Sequence, residues 1–324
     1  MRHHHRHGGV VHSALLLVGA ALLCCCGRHT HAFTVVDAPS IRYSSLLLRR
    51  RSNNNNNRPD SLLLYAAKNN DIVLVIGGTS GIGQLVTEKL AATTNDGTTT
   101  TVRVTTRSTE KGQELFGTKP NVDVVALDLL STNTQPLQQA MEGASAVVIS
   151  VGTTAFPTLQ WKGGNTPQAI DQDAVTRIAT VVANTASVQK VVLVTSVGVQ
   201  RTNEMPFRIL NLFGVLDAKR AGEQAIMEQS QRDYVIVRPG RLVGGPFTNL
   251  DVAKLLQIEG GAENGVDVAK GDALLGDCKR DACAECIVQA LACDTAKNVD
   301  FSIVSNDGLP AKTEEEWKQT FASL

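Results

Sequence analysis

The sequence carries no net charge, because Lys+Arg and Asp+Glu balance at 31 each. A nucleic-acid reader normally shows a basic face, so nothing here points to that partner. A disulfide framework is lacking as well. Three of the seven cysteines form the run Cys24-Cys25-Cys26 in an apolar leader, and the others, Cys278, Cys283, Cys286 and Cys293, cluster near the C-terminus. A body of this length buries enough apolar area to fold without cross-links. No internal repeat recurs. No second apolar run follows the leader, so no stable membrane span is expected in the mature protein.

The first seventy residues differ from the rest. Residues 10–26 are apolar and uncharged and follow Arg2 and Arg6, which suits a signal-peptide core better than a span of about 20 residues. Thr30-His31-Ala32 places small residues where signal peptidase cuts. Residues 33–65 are rich in Ser, Arg, Asn and Leu, with Asp37 and Asp60 as their acids, a transit-peptide composition. The division expected is a signal peptide over 1–32, a transit peptide or disordered linker over 33–68, and one domain over 69–324. Signal plus transit peptide, with Phe33 after the cut, resembles the bipartite plastid presequence of diatoms and related algae. The alternative is a secretory signal plus a disordered linker, which leads to the endomembrane system or outside the cell. The asparagines 53–57 are low-complexity spacer, and the histidines at 3, 4, 5 and 7 fall in the removed segment.

From Asp71 onward, short β-branched runs alternate with helical patterns. Residues 72–76 are continuously apolar, which suits a strand buried on both faces. Runs at 102–106, 122–127, 146–149, 191–194 and 234–237 repeat the theme, with helices expected at 83–92, 134–142, 168–186 and 217–230. Residues 94–101 read as a polar loop. Strands alternating with helices mean a doubly wound, parallel-sheet α/β Rossmann fold.

Gly77-Gly78-Thr79-Ser80-Gly81-Ile82-Gly83 follows the first strand and opens a helix, the context that makes a glycine turn a phosphate grip. Gly77 permits the tight turn, Gly81 the approach of a pyrophosphate, and Gly83 close packing of helix on strand. Thr79, Ser80 and Ile82 complete the turn, whose free amides face the anion. About twenty residues on, an acid would hold the ribose hydroxyls of NAD. Here stands Thr105-Thr106-Arg107-Ser108, with no acid. A guanidinium matches a 2′-phosphate with two parallel hydrogen bonds, so Arg107 favours NADP (NADPH) over NAD; otherwise it is a solvated surface arginine. Asp128 and Leu129 end the third strand and Gly152 the fourth, where ligands sit in open α/β sheets. Asp128 is expected to accept from an adenine amino group, or else to cap a turn.

These segments resemble the short-chain dehydrogenase/reductase superfamily, specifically its atypical single-domain branch and the NmrA-like group of cyanobacteria and plastids. The resemblance runs from Asp71 to the C-terminus and rests on 76–83, 102–107, 124–129, 191–198, 211–220 and 234–246. It implies a Ser, a Tyr and a Lys at the site, the last two spaced Y-x-x-x-K. The tyrosine gives a proton to a carbonyl oxygen, and the lysine lowers its pKa and holds the ribose. Ser196 matches the serine and Lys219 the lysine, but Val215 stands where the tyrosine belongs. Tyr65 lies in the presequence tail, and Tyr234 starts a strand, as a core residue would. The resemblance further implies that Pro239 and Gly240, within Arg238-Pro239-Gly240-Arg241, carry the nicotinamide contact. Gly244-Gly245-Pro246 would continue as a substrate loop, with 205–213 covering the pocket.

Cys278, Cys283 and Cys286 are spaced C-x4-C-x2-C, which begins a plant-type iron–sulfur pattern, but no later cysteine supplies a distant fourth ligand. Helix geometry over 281–293 puts Ala282, Cys283, Cys286, Ala290 and Cys293 on one face, as core packing requires. No metal is expected. Two functions follow from the sequence. One is an NADPH-dependent reductase of the plastid using Ser196 and Lys219. The other is a dinucleotide-binding redox sensor or assembly factor without turnover, with plastid proteins as partners. The small-molecule partner is the dinucleotide in both.

Overall fold

The computed structural model describes residues 71–92, 94–95, 98–244 and 264–324, all within the unit Asn57–Leu324. The presequence segments and Gly245-Pro246 lie outside the described residues. In chain order the first half comprises β1 (Ile72–Ile76), α1 (Gly81–Ala92), a short hairpin of β2 (Thr94–Asn95) and β3 (Thr98–Thr99), β4 (Thr101–Thr106), α2 (Thr109–Phe116), β5 (Val122–Ala126), α3 (Gln135–Met141) and β6 (Ala144–Ile149). There follow α4 (Leu159–Lys162), a π-helical turn (Gln168–Ala174) running into α5 (Val175–Ala183), β7 (Lys190–Val194), α6 (Phe207–Leu210), α7 (Val215–Gln229) and β8 (Asp233–Pro239). The last elements are β9 (Arg241–Val243), β10 (Asn264–Lys270), β11 (Asp277–Lys279), α8 (Arg280–Ala292), β12 (Val299–Pro310) and α9 (Glu314–Ala322).

Eight of the strands form one sheet in the order β10-β12-β8-β7-β6-β1-β4-β5. All neighbours are parallel except β10 and β12, which pair antiparallel at the edge. Successive side chains of a strand face opposite ways. Val73 and Val75 of β1 therefore enter one core with α1, α8 and α9, while Leu74 and Ile76 enter another with α3, α5 and α7. Both faces are covered, which is why β1 lacks polar alternation. This is the doubly wound α/β Rossmann architecture read from the sequence. The chain reverses direction across the sheet between β1 and β6, and the crevice of such folds opens there, beyond the carboxyl ends of the strands.

Three local expectations change. Within 94–101, read as a plain loop, Thr94 pairs with Thr99 and Asn95 with Thr98 as two short antiparallel strands. The helix read at 168–186 begins as a π-helical turn. And α8 buries far more than one face, because Ala284, Ile287, Val288 and Leu291 are as enclosed as Cys283 and Cys286. A helix enclosed on most sides is a core helix, here held between the sheet, α1 and α9, with Asp281 and Glu285 keeping one part-exposed side paired to Lys89.

Candidate functional site

A cleft of about 540 Å³ opens beyond the carboxyl ends of β1, β4, β5, β6, β7 and β8. It brings together Gly77, Thr79, Ser80, Gly81, Ile82, Arg107, Asp128, Leu129, Gly152, Ser196, Lys219, Pro239 and Gly240, which the sequence scatters over more than 160 positions. Gly83 is buried behind it. A side chain there would press a Cβ to 2.4 Å from the Gly77 carbonyl oxygen, so its role is to let α1 close on the turn. A Cβ at Gly81 would meet nothing within 4 Å, so the space over the turn is open to a ligand. The first turn of α1 carries no acid, and its free amides suit an anion. The residues present fit a dinucleotide pyrophosphate.

The two ends of the cleft differ in chemistry. Over β4 and β5, the Arg107 guanidinium donates to the Asn165 side-chain oxygen at 2.9 Å. Both residues line the cleft, so a neutral amide aims the cation without cancelling its charge. Asp128 lines the same end while its Oδ1 accepts from the Leu130 amide at 3.0 Å, so it also serves as the turn residue that was its alternative reading. Thr106 accepts from the Ser108 amide at 3.1 Å and fixes the turn that carries Arg107.

Over β6, β7 and β8 the side chains are locked to one another. Lys219 Nζ lies 2.6 Å from Asp171 Oδ1, and their side chains are 12% and 2% exposed. Asp171 also accepts from the amide and hydroxyl of Thr153. A Cβ on Gly152 would stand 2.8 Å from Lys219 Nζ, so the absence of a side chain there makes room for this pair. Thr195 donates its hydroxyl to Glu223 Oε1 at 2.6 Å. Glu223 is fully buried and grips the fully buried Arg238 through Nε and Nη2, each at 2.9 Å. Arg238 reaches Asp300 as well. Burial pushes the Arg238 guanidinium down, but hydrogen bonds and charge from Glu223 and then Asp300 outweigh it and hold the group above its usual range. Ser196 Oγ contacts the Val197 carbonyl oxygen at 3.0 Å.

Val215 does not line the cleft. It is 3% exposed and packs in a small core with Val197, Val199, Phe207 and Leu216. Tyr234 sits at the opposite end of β8 from Pro239 and packs against the core under α3, α5 and α7. Residues 205–213 are not among those that line the cleft. Phe213 instead meets Phe156 and Trp161 edge-on at 6.0 and 6.1 Å. All four C-terminal cysteines are buried thiols. Cys283 is raised well above the usual thiol range by the hydrogen bond its thiol makes to Cys278 and by burial, and Cys286 by burial. Among the described residues, no group of three or more His, Cys, Asp or Glu side chains is placed to hold a metal. None of their helices is long and apolar enough to cross a membrane.

Asp171, Thr153, Asn165, Thr195 and Glu223 escaped the sequence reading. Each acts through a partner distant in the chain, and one clue was available. β7 is followed by two consecutive hydroxyls, Thr195-Ser196, at the carboxyl edge where ligands bind.

The sequence profile of the family described as NAD(P)H-binding matches residues 77–294. The chain belongs to that NAD(P)H-binding family. With its sheet order, it is a doubly wound Rossmann chain of that family, which binds a nicotinamide dinucleotide. Protein TIC 62, chloroplastic, of Arabidopsis thaliana is 33% identical over 164 residues, which are 43% of this chain and 24% of that protein. The match thus spans about a quarter of that relative's length. The oxidoreductase ylbE of Lactococcus lactis superposes with a TM-score of 0.59 at 16% identity, over 78% of this chain and 97% of its own. Gre2 of Candida albicans, solved in complex with NADPH, gives 0.52 at 15% identity, over 72% and 79%. At such identities the likeness is one of fold.

Proposed function

We propose that this chain is an NADP(H)-binding protein of the plastid that holds its dinucleotide without the tyrosine-driven carbonyl reduction of its superfamily, acting as a redox sensor or an assembly factor for plastid complexes. The observation that carries the reading is the state of the substrate end. Val215 is packed in a core, and Lys219 is ion-paired to Asp171. A valine transfers no proton. An ammonium 2.6 Å from a carboxylate has its field largely cancelled, so it does little to ease the deprotonation of any neighbour.

The bound dinucleotide would supply hydride chemistry at its nicotinamide. The residues of this chain would supply the grip. The amides of 79–83 face the pyrophosphate, Arg107 the 2′-phosphate, and Asp128 and Leu129 the adenine. Ser196, Lys219, Pro239 and Gly240 line the nicotinamide half. Assignment to the plastid draws on the chloroplastic relative and on the signal-plus-transit composition of residues 1–68. Ser196 and Lys219 still share one end of the cleft, and that observation favours the second reading, an NADPH-dependent reductase with another proton source.

Titration of the purified protein with NADPH and NADH, followed by nicotinamide fluorescence, tests the nucleotide assignment. Hydrogen bonds to a charged group make NADPH bind at least about tenfold tighter, and Arg107→Leu brings the two to parity. Equal affinities in the unaltered protein would remove the NADP assignment. Failure to bind either would overturn the whole reading.

A further inference from the structure

Large apolar side chains left in water are scattered singly over most proteins, but in this one they are gathered. Of the nine that are exposed among the described residues, seven lie on two segments, 156–159 and 205–213. The segments are joined where Phe213 meets Phe156 and Trp161 edge-on. The second is also pinned from beneath. Phe207 is buried and closes so tightly on Gly198 that a Cβ there would lie 2.1 Å from its ring. The Arg201 guanidinium lies over the same ring, 4.7 Å from its centre. The face thus has a fixed shape before anything docks, which lowers the ordering cost of docking.

At about 100 Å² for each half-exposed large side chain, the seven present roughly 700 Å² of apolar surface. The largest apolar patch on a monomer is about 300–600 Å², and each side of a stable interface buries about 800 Å². The face exceeds what a monomer ordinarily exposes and approaches what one protein partner covers.

Its charges point to the partner. The Arg208 amide donates to the Glu204 carbonyl oxygen at 2.8 Å, so a base and an acid stand one turn apart on the same segment. Both are exposed, and among the described residues neither has an ion-pair partner. Across a two-fold axis, residue i of one copy meets residue j of the other, and j meets i. A surface carrying one acid and one base at such spacing is complementary to itself. An anionic bilayer would draw in Arg208 and the exposed Lys162 but repel Glu204.

We propose that this face is a self-association surface, on which a second copy of the chain docks about a two-fold axis with Arg208 of each copy against Glu204 of the other. Sedimentation velocity of the purified protein over a wide range of concentration reads the association, and a shift from monomer to dimer is expected. Leu159→Asp and Leu212→Asp, at positions 81% and 67% exposed and so outside the core, each weaken the dimer at least about tenfold. Glu204→Arg or Arg208→Glu alone weakens it about as much, because like charges then face one another. Mixing those two variants restores the dimer, since the added cation of one copy meets the added anion of the other. A protein that stays monomeric throughout would overturn the proposal, even if it bound anionic vesicles through Leu212. A dimer indifferent to all four substitutions would overturn it as well. Charge variants that remain apart when mixed would overturn the two-fold docking.

Discussion

The two halves of one cleft are built on opposite principles. Over β4 and β5, Arg107 is aimed by a neutral amide and keeps its charge for a ligand. Over β6, β7 and β8, Lys219 and Arg238 are each matched to a carboxylate buried beside them. The first half is poised to meet an anion that arrives from solvent. The second is electrostatically closed before anything arrives. On the proposed function, Lys219 keeps the place of a dehydrogenase lysine without its chemistry, because a partner 48 residues away in the chain decides what its charge can do.

The comparison can be broken most forcefully at Arg238. Methionine there leaves buried Glu223 with the Thr195 hydroxyl and only the longer 3.8 Å pair to Arg220, and breaking a buried pair costs about 3–5 kcal/mol. Urea denaturation of Arg238→Met reads that loss, and a change under about 1 kcal/mol would mean the network is not a lock. A smaller effect sharpens the contrast at Val215. Tyrosine inserted into that small core overpacks it by about 1–3 kcal/mol, and no carbonyl reductase activity appears, because Lys219 remains neutralised by Asp171. Activity gained by Val215→Tyr would show that one hydroxyl was all that separated this cleft from a dehydrogenase.

The sequence disclosed the gripping half far better than the closed one. The turn 77–83 and the runs of β1, β4, β5, β6, β7 and β8 are local patterns, in which buried strands and a glycine grip announce themselves over a few residues. The short helix α2 went unread because only Gly112 and Phe116 of its residues are buried, too few for a periodic signal. The antiparallel edge of β10 and β12 mixes polar residues and glycines into its strands and has no clean alternation. Asp171 was hidden for another reason. Its position falls within a segment correctly read as helical, but a π-helical turn has no compositional mark, and the pairing with Lys219 is made by packing α7 against that turn. There the carbonyl oxygen of Asp171 would lie 2.3 Å from a Cβ on Gly222. Glu223 and Arg238 look like surface charges in the sequence and become core only once β8 is placed beside β7.

The most direct test loads the protein with NADPH in a stopped-flow cell and mixes it with a panel of aldehydes, ketones and quinones. Binding with persistent nicotinamide absorbance across the panel is the result this account predicts. A rapid, stoichiometric loss of that absorbance with any carbonyl compound would contradict it.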